Sequence, residues 1–238
     1  MRIAAFTDIH AQSDTLRSAL AAARRQGFDL LLILGDLLTY GVDPVGTLEL
    51  VQEAAARDGA VLLAGNHDLL YRAGDPGEDY RTALPDWLRE SIEWTAARVP
   101  DGAMDTFDWR PSWSEGPLFA AHANPYAFGD WRYIRTIEDA QDAAAALQAR
   151  GHRFGLFGHV HRLRRFDGDA ATVVTLASLG QPRDALDQEP CWAMVDLEGD
   201  TMTVTPHAVD FDRQAHMRAI RATGLSPATQ ERLCRFFA

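Results

Sequence analysis

The apolar run Val61-Leu62-Leu63-Ala64 ends without transition in Gly65-Asn66-His67-Asp68. A strand that finishes this way sets an amide oxygen, an imidazole and a carboxylate on the loop beyond its C-terminal end, where open α/β sheets bind ligands. Gly-Asn on its own makes ordinary turns, but the event recurs. Residues 3–6 run into Thr7-Asp8-Ile9-His10 and residues 30–34 into Gly35-Asp36. Residues 118–121 run into His122-Ala123-Asn124-Pro125, and residues 154–157 into Gly158-His159-Val160-His161. Short, wholly apolar runs suit strands covered on both faces, and each of these five delivers oxygen or imidazole at its end.

Helical signals separate the strands. Ser13 is placed to cap a helix whose Leu16, Ala19, Leu20 and Ala23 follow the 3.6 period, with Gly27 ending it. Asp43-Pro44 gives an N-cap and a first-position proline for a helix to about residue 57, and Thr136 with Asp139 forms a capping box for one to residue 149. Three strand-helix steps in succession imply a largely parallel core. After residue 161 the character changes: residues 163–166, 172–176, 191–197 and 202–208 read as strands with few helices between them. Residues 213–222 and 227–236 read as closing helices. This predicts an α/β fold, a four-layer αββα sandwich of two mixed sheets packed face to face and flanked by helices. Residues 71–115 break the rhythm with Gly74, Pro76, Gly77, a helix near 85–99 and Trp87, Trp94, Trp109 and Trp113. They are an insertion serving either as a lid over a site or as a helix laying its Trp face on the sheet.

The chain of 238 residues, 47% hydrophobic and 24% charged, is sized for a single α/β domain over 1–238. The first apolar run has no charged leader or cleavage site ahead of it, and no stretch approaches the roughly 20 apolar residues of a membrane helix. Cys191 and Cys234 offer no disulfide framework, which fits reduced thiols and a cytoplasmic protein without membrane contact. The net charge of −11 gives no extended nucleic-acid surface. It leaves a phosphate substrate open, because bound cations dominate their local field.

The polar groups at the strand ends are Asp8, His10, Asp36, Asn66, His67, His122, His159 and His161. Imidazole mixed with carboxylate suits Mn, Fe, Zn or Ni, whereas Mg or Ca would prefer oxygens alone. Seven candidate ligands exceed what one catalytic ion with open positions can use, but suit two ions sharing a carboxylate. Such a pair clamps both oxygens of an in-line displacement at phosphorus and lowers the pKa of a bridging water. Singly, each residue has an ordinary explanation: Asp8 as a helix cap, Asp36 and Asn66 in turns, the histidines at polar strand ends. His152, His207 and His216 lack such company and read as solvated or structural.

Asp8-Ile9-His10, Gly35-Asp36, Gly65-Asn66-His67-Asp68, His122 and Gly158-His159-Val160-His161 resemble, in order, the five motifs of the calcineurin-like metallophosphoesterase superfamily. Tyr40-Gly41-Val42-Asp43-Pro44, Ser178-Leu179-Gly180-Gln181-Pro182-Arg183 and the tail from Val209-Asp210-Phe211-Asp212 extend the resemblance to its small bacterial and archaeal phosphodiesterase branch. The resemblance implies two divalent ions, Mn before Fe, Zn or Ni. One would be held by Asp8, His10, Asp36 and His161, the other by Asp36, Asn66, His122 and His159. It implies a role for His67 in stabilising charge or protonating the leaving oxygen, with Asp68 as its orienter. Arg183, as a fork for phosphate oxygens, and Asn124 are candidate substrate contacts; a surface role is equally open for Arg183. Two departures stand out. Ala121 precedes His122 where the family more often has Gly, and Leu37-Leu38-Thr39-Tyr40 follows Asp36 where its protein phosphatases carry a second Asp and an Arg. The implied activity is hydrolysis of phosphate esters, small or nucleotide, diesters first, in a chain free to form a homo-oligomer. A phosphomonoesterase or nucleotidase on the same centre stays open. So does a non-catalytic scaffold like the retromer subunit of this superfamily.

Overall fold

Alternate residues of the first strand enter different cores: Ala4 and Phe6 join one apolar cluster, Ile3 and Ala5 another. A strand buried on both faces belongs in the middle of a sheet. In the computed structural model, which describes residues 1–72, 84–183 and 189–237, β1 (Arg2–Phe6) sits parallel to β2 (Leu30–Ile33) and antiparallel to β10 (Cys191–Glu198). β3 (Val61–Leu63) and β4 (Trp109–Arg110) continue the sheet beyond β2, and β11 (Thr201–Ala208) beyond β10, making six strands. A second sheet of five has the order β5 (Ser112–Glu115), β6 (Leu118–Ala121), β7 (Phe154–Phe157), β9 (Thr172–Thr175), β8 (Arg164–Asp167).

The sheets stack on a shared core in which Ile3, Leu32 and Leu63 meet Leu118, Leu156 and Val174. α1 (Ser13–Gln26) and α2 (Pro44–Asp58) cover the outer face of the first sheet, where Leu16, Leu20 and Val51 pack on Phe6, Leu31 and Ile33. α4 (Ile137–Ala149) covers the second through Ala140, Ala143, Ala144 and Leu147. The expected layers of helix, sheet, sheet and helix are therefore present. The capping box of Thr136 with Asp139 and the cap of Asp43 on Gly46 N–H form as read. No helix among the described residues is long and apolar enough to cross a membrane.

Four details differ from the sequence reading. Ser13 is the first residue of α1 rather than its cap, and its hydroxyl donates to Asp43 Oδ2 at 2.5 Å, tying α1 to the start of α2. β9 runs parallel to β7, not antiparallel, whereas β8, at the edge, pairs antiparallel with β9. Residues 109–115, read as part of the insertion, form β4 and β5 and so join both sheets, β4 beside β3 and β5 beside β6. Strands of two and four residues interrupted by Pro111 are too short to show a period. The insertion helix, α3 (Asp86–Ala96), lays its Trp face on other helices rather than on the sheet: Trp87 and Trp94 pack with α5 (Arg213–Arg221) and α6 (Pro227–Cys234) around Ile220 and Leu233. Trp94 Nε1–H also donates to Thr223 O at 2.8 Å. Of the residues assigned to a lid, 73–83 lie outside the described residues.

Candidate metal centre

The loops leaving β1, β2, β3, β6 and β7 converge at one end of the sheet pair. Ligand-capable atoms of Asp8, His10 and His161 lie within 4.8 Å of one another, as do those of Asp36, His122 and His159. All six side chains are buried. Asp36 stands between the groups: its Oδ2 is 3.9 Å from His10 Nε2 and 3.4 Å from His122 Nε2. Ala121 stays within β6, paired with Phe157, and His122 still reaches its group.

The hydrogen bonds of the four histidines decide which nitrogen is free. A carbonyl oxygen can only accept, so the ring nitrogen beside it must carry the proton and, in a neutral ring, the other presents a lone pair. His10 Nδ1–H donates to Leu38 O at 2.9 Å, His122 Nδ1–H to Leu34 O at 2.6 Å and His161 Nδ1–H to Gln181 O at 2.6 Å. His159 does the reverse, donating Nε2–H to Trp131 O at 3.0 Å. Four ring nitrogens thus face inward, each orientation fixed by an outer partner, as metal-binding histidines require. Three buried atoms on these loops, Asp8 Oδ1, Asn66 Oδ1 and His122 Nε2, have no hydrogen-bond partner. Orphaned polar atoms of this kind are costly unless a cation meets them. The donor set therefore fits divalent cations of the borderline class.

The charges agree. Burial works against ionised Asp36, but His122 and His67 hold its carboxyl well below the usual range; Asp8 is held down against the same penalty chiefly by His161. His10 is pushed well below its ordinary value by burial and then by His161, and His159 by burial to about 3. His122 moves the other way, up to about 10, because the pull of Asp36 outweighs burial; without a cation its Nε2 holds a proton against Asp36 Oδ2, the proton that a bound cation would displace.

Among the described residues, left-handed backbone at non-glycine positions clusters at this end of the molecule: positive φ occurs at Asp8, His10, Ala11, Asp36, Thr39, Tyr40, His159 and His161, with angles from 49° to 74°. Each costs roughly 1–3 kcal/mol and persists only where the surroundings impose it. Two glycines let the loops close in: a Cβ on Gly158 would overlap Thr7 Oγ1, and one on Gly180 would overlap Ile9 O.

His67 belongs to neither group and is held differently. Its Nδ1 lies 3.1 Å from Thr39 Oγ1 and its Nε2 3.2 Å from Tyr40 Oη. Hydroxyls can donate or accept, so this ring, unlike the other four, is free to change protonation without breaking its supports. Burial lowers it to about 4 despite Asp36, with the charge of Arg183 adding to the fall. Thr39 and Tyr40 were not among the expected site residues.

Asp68 does not orient His67. Its Oδ2 accepts from Asp36 N–H and Gly65 N–H, both at 2.8 Å, and its Oδ1 from Leu37 N–H at 2.9 Å, so the carboxylate staples two site loops together. Burial and the charge of Asp36 push it up to about 7 against those three bonds. Asn124 is likewise committed elsewhere. Its Nδ2 donates to Asp130 O and Arg132 O and its Oδ1 accepts from Tyr126 N–H, which folds the 124–133 loop. That loop brings Trp131 O to His159 and stacks Tyr133 on the same ring at 4.2 Å. Arg183 does face the centre: its charge acts on Tyr40, His67 and His161, and its Nε and Nη2 both donate to Gln181 Oε1, at 3.1 and 2.8 Å.

Comparison with known proteins agrees with this arrangement. A family model described as calcineurin-like phosphoesterase matches residues 1–163. A metallophosphoesterase from Sphaerobacter thermophilus superposes with a TM-score of 0.74 at 23% identity, over 99% of both chains. A hypothetical protein from Pyrococcus horikoshii OT3 gives a TM-score of 0.83 at 17% identity over 98% of this chain and 97% of that one. An uncharacterized protein of Methanocaldococcus jannaschii is 23% identical over 201 residues, 78% of this chain and 79% of the relative. At these identities the structural likeness establishes the fold, which extends past residue 163 to the end of the chain.

Proposed function

The chain belongs to the calcineurin-like phosphoesterase family, and from that premise we propose that it is a dinuclear phosphodiesterase. The observation that carries the reading is the contrast among its buried histidines. Four are locked by carbonyls with their second nitrogens turned inward, and a fifth, His67, is held beside them by hydroxyls alone.

Asp8, His10, Asp36 and His161 would hold one divalent cation, and Asp36, Asn66, His122 and His159 the other, Mn being the expected metal. Such a pair, when bound, neutralises phosphoryl charge and acidifies a water so that a nucleophile exists at neutral pH. His67 would donate a proton to the leaving oxygen through Nε2, with Nδ1 kept on Thr39. It is neutral in the free enzyme at pH 7, and an anionic phosphoryl group beside it raises its pKa. Asp68 keeps the Asp36 and Gly65 loops in register. Diesters are favoured over monoesters because the ring of Tyr40 occupies the stretch where the superfamily's phosphatases carry an arginine, with the Arg183 guanidinium 6.0 Å from that ring. A scaffold would have no use for a buried histidine left free to titrate. The two buried, unpaired cysteines suit a reducing compartment.

The test is hydrolysis of bis-p-nitrophenyl phosphate against p-nitrophenyl phosphate by metal-stripped protein with Mn²⁺ restored. Metal-dependent turnover of the diester supports the proposal. Preference for the monoester would replace it with a phosphatase, and two bound metals without turnover of either ester would favour the scaffold.

A further inference from the structure

The leaving oxygen lies on the His67 side of the centre if His67 protonates it, so the walls around His67 are the walls a leaving group meets. Three rings from distant parts of the chain stand there. Tyr40 packs edge-on to His67 at 5.0 Å and stacks on Trp87 of α3 at 5.9 Å, while Phe236, just past α6, lies 6.3 Å from each. Within the cluster they belong to, Ile220, Leu233 and Phe237 are buried, whereas Trp87 and Phe236 are only half-buried. Aromatic surface of Trp87 and Phe236 therefore remains in solvent one ring away from His67. Two guanidiniums flank it: Arg183 at 6.0 Å from Tyr40 and 5.7 Å from Phe236, and exposed Arg232 at 5.3 Å from Trp87 and 5.5 Å from Phe236.

The state of Arg183 matters most. Arg24, Arg132, Arg153 and Arg165 are all paired with carboxylates. Arg183 is aimed instead by a neutral amide, Gln181 Oε1, through Nε and Nη2. Its orientation is fixed, it also meets the Tyr40 hydroxyl, and among the described residues no carboxylate pairs with it, so its charge can meet an anion. Gln181 is itself fixed, because its backbone N–H donates to Ser178 Oγ at 2.7 Å and its carbonyl anchors His161.

We infer that Arg183, Tyr40, Trp87, Phe236 and Arg232 form a leaving-group subsite for a nucleotide, the base stacking on the half-buried rings and a second phosphate bound by the guanidiniums. This rests on the assignment of His67 above. The reaction it selects breaks the P–O bond to the nucleotide's 3′-oxygen; water oxygen bonds to phosphorus and the 3′-oxygen takes the His67 proton. Arg183 and the rings are specificity residues here, and Gln181 is a positioning residue.

The dinucleotides pdTpdT and dTpdT share one scissile bond and differ only in the distal 5′-phosphate on the leaving nucleotide. On Mn-loaded protein, kcat/KM for pdTpdT should exceed that for dTpdT by roughly 10- to 100-fold, the range of a charged hydrogen bond. Arg183→Gln should bring the ratio near one. Calorimetric binding of thymidine 5′-monophosphate, with metal content measured alongside, should weaken in Arg183→Gln and in Trp87→Leu, which keeps apolar volume against α6. Equal turnover of the two dinucleotides with bis-p-nitrophenyl phosphate still cleaved would overturn the subsite alone. A preference that survives Arg183→Gln would overturn the role of Arg183, and failure of the wild type on bis-p-nitrophenyl phosphate would remove the His67 assignment and the subsite with it.

Discussion

His10 Nε2 and His161 Nε2 face each other across 3.2 Å, and both rings have already committed their Nδ1–H to backbone carbonyls. Neither neutral ring can donate to the other, so two lone pairs point into one small space with Asp8 Oδ1 beside them, 3.3 Å from His161 Nε2. Mn²⁺ at about 100 times its dissociation constant should therefore stabilise the chelator-treated protein by about 3 kcal/mol per site, raising Tm by roughly 5–10 °C. Scanning calorimetry with and without Mn²⁺ reads this directly, and an unchanged Tm would mean the lone pairs are not a cation site.

His67→Ala removes the ring held by hydroxyls and none of the four held by carbonyls. Bound metal, measured by emission spectroscopy, should be unchanged, while turnover of bis-p-nitrophenyl phosphate falls on the order of 10²–10⁴-fold. Tyr40→Phe keeps the ring packing and the Thr39 bond but deletes one support of His67, so it should lose less activity and shift the pH profile. A His67→Ala enzyme as fast as wild type would remove His67 from the chemistry.

Asp68→Asn separates stapling from catalysis. An amide sets NH₂ against one or more of the three N–H groups that the carboxylate accepts, and charged hydrogen bonds of this sort contribute about 1.5–3 kcal/mol each. Urea unfolding should show a loss of about 2–4 kcal/mol, together with weaker metal retention. If stability and metal content hold while activity disappears, Asp68 has a chemical role after all.

Acid sensitivity should have a component outside the two candidate ligand groups. His216, in α5, is pushed down to about 4 by burial alone, with Phe211 and Phe237 against its ring and Gln12 Nε2 at 2.8 Å from its Nε2. The unfolded chain takes up this proton near pH 6.5. Its folded pKa is the lower one, so the stability it contributes is complete above about pH 6.5 and is lost as pH falls through 4, about 3 kcal/mol in all. His216→Gln should lose that much less stability over the window than wild type in urea titrations. Parallel curves would show that His216 does not titrate with unfolding.

The centre was more legible than its supports. Asp8, His10, Asp36, His122, His159 and His161 each follow a short apolar run, and a strand end fixes where a side chain goes. Thr39 and Tyr40 follow Asp36 along a loop whose left-handed backbone, φ 74° and 69°, leaves no trace in residue type; both side chains prefer other conformations. Asp68 stands next to His67 in sequence, yet its carboxylate turns back to the Asp36 loop, a choice made by buried N–H groups that only the folded chain brings near. Arg183 could be read either way until Gln181 was seen to aim it.

Making this protein is a matter of waiting. β1 leads into Asp8 and His10, yet its second neighbour, β10, begins only at residue 191, thirty residues after His161, the last candidate ligand. Every donor atom can exist on a nascent chain while the strand that presents two of them still has one bare edge. A fragment ending soon after residue 163 would keep all five motifs and lack β9, β10 and β11. It should bind metal poorly and aggregate through β1, so the length of a working domain is set by the sheet and not by the motifs.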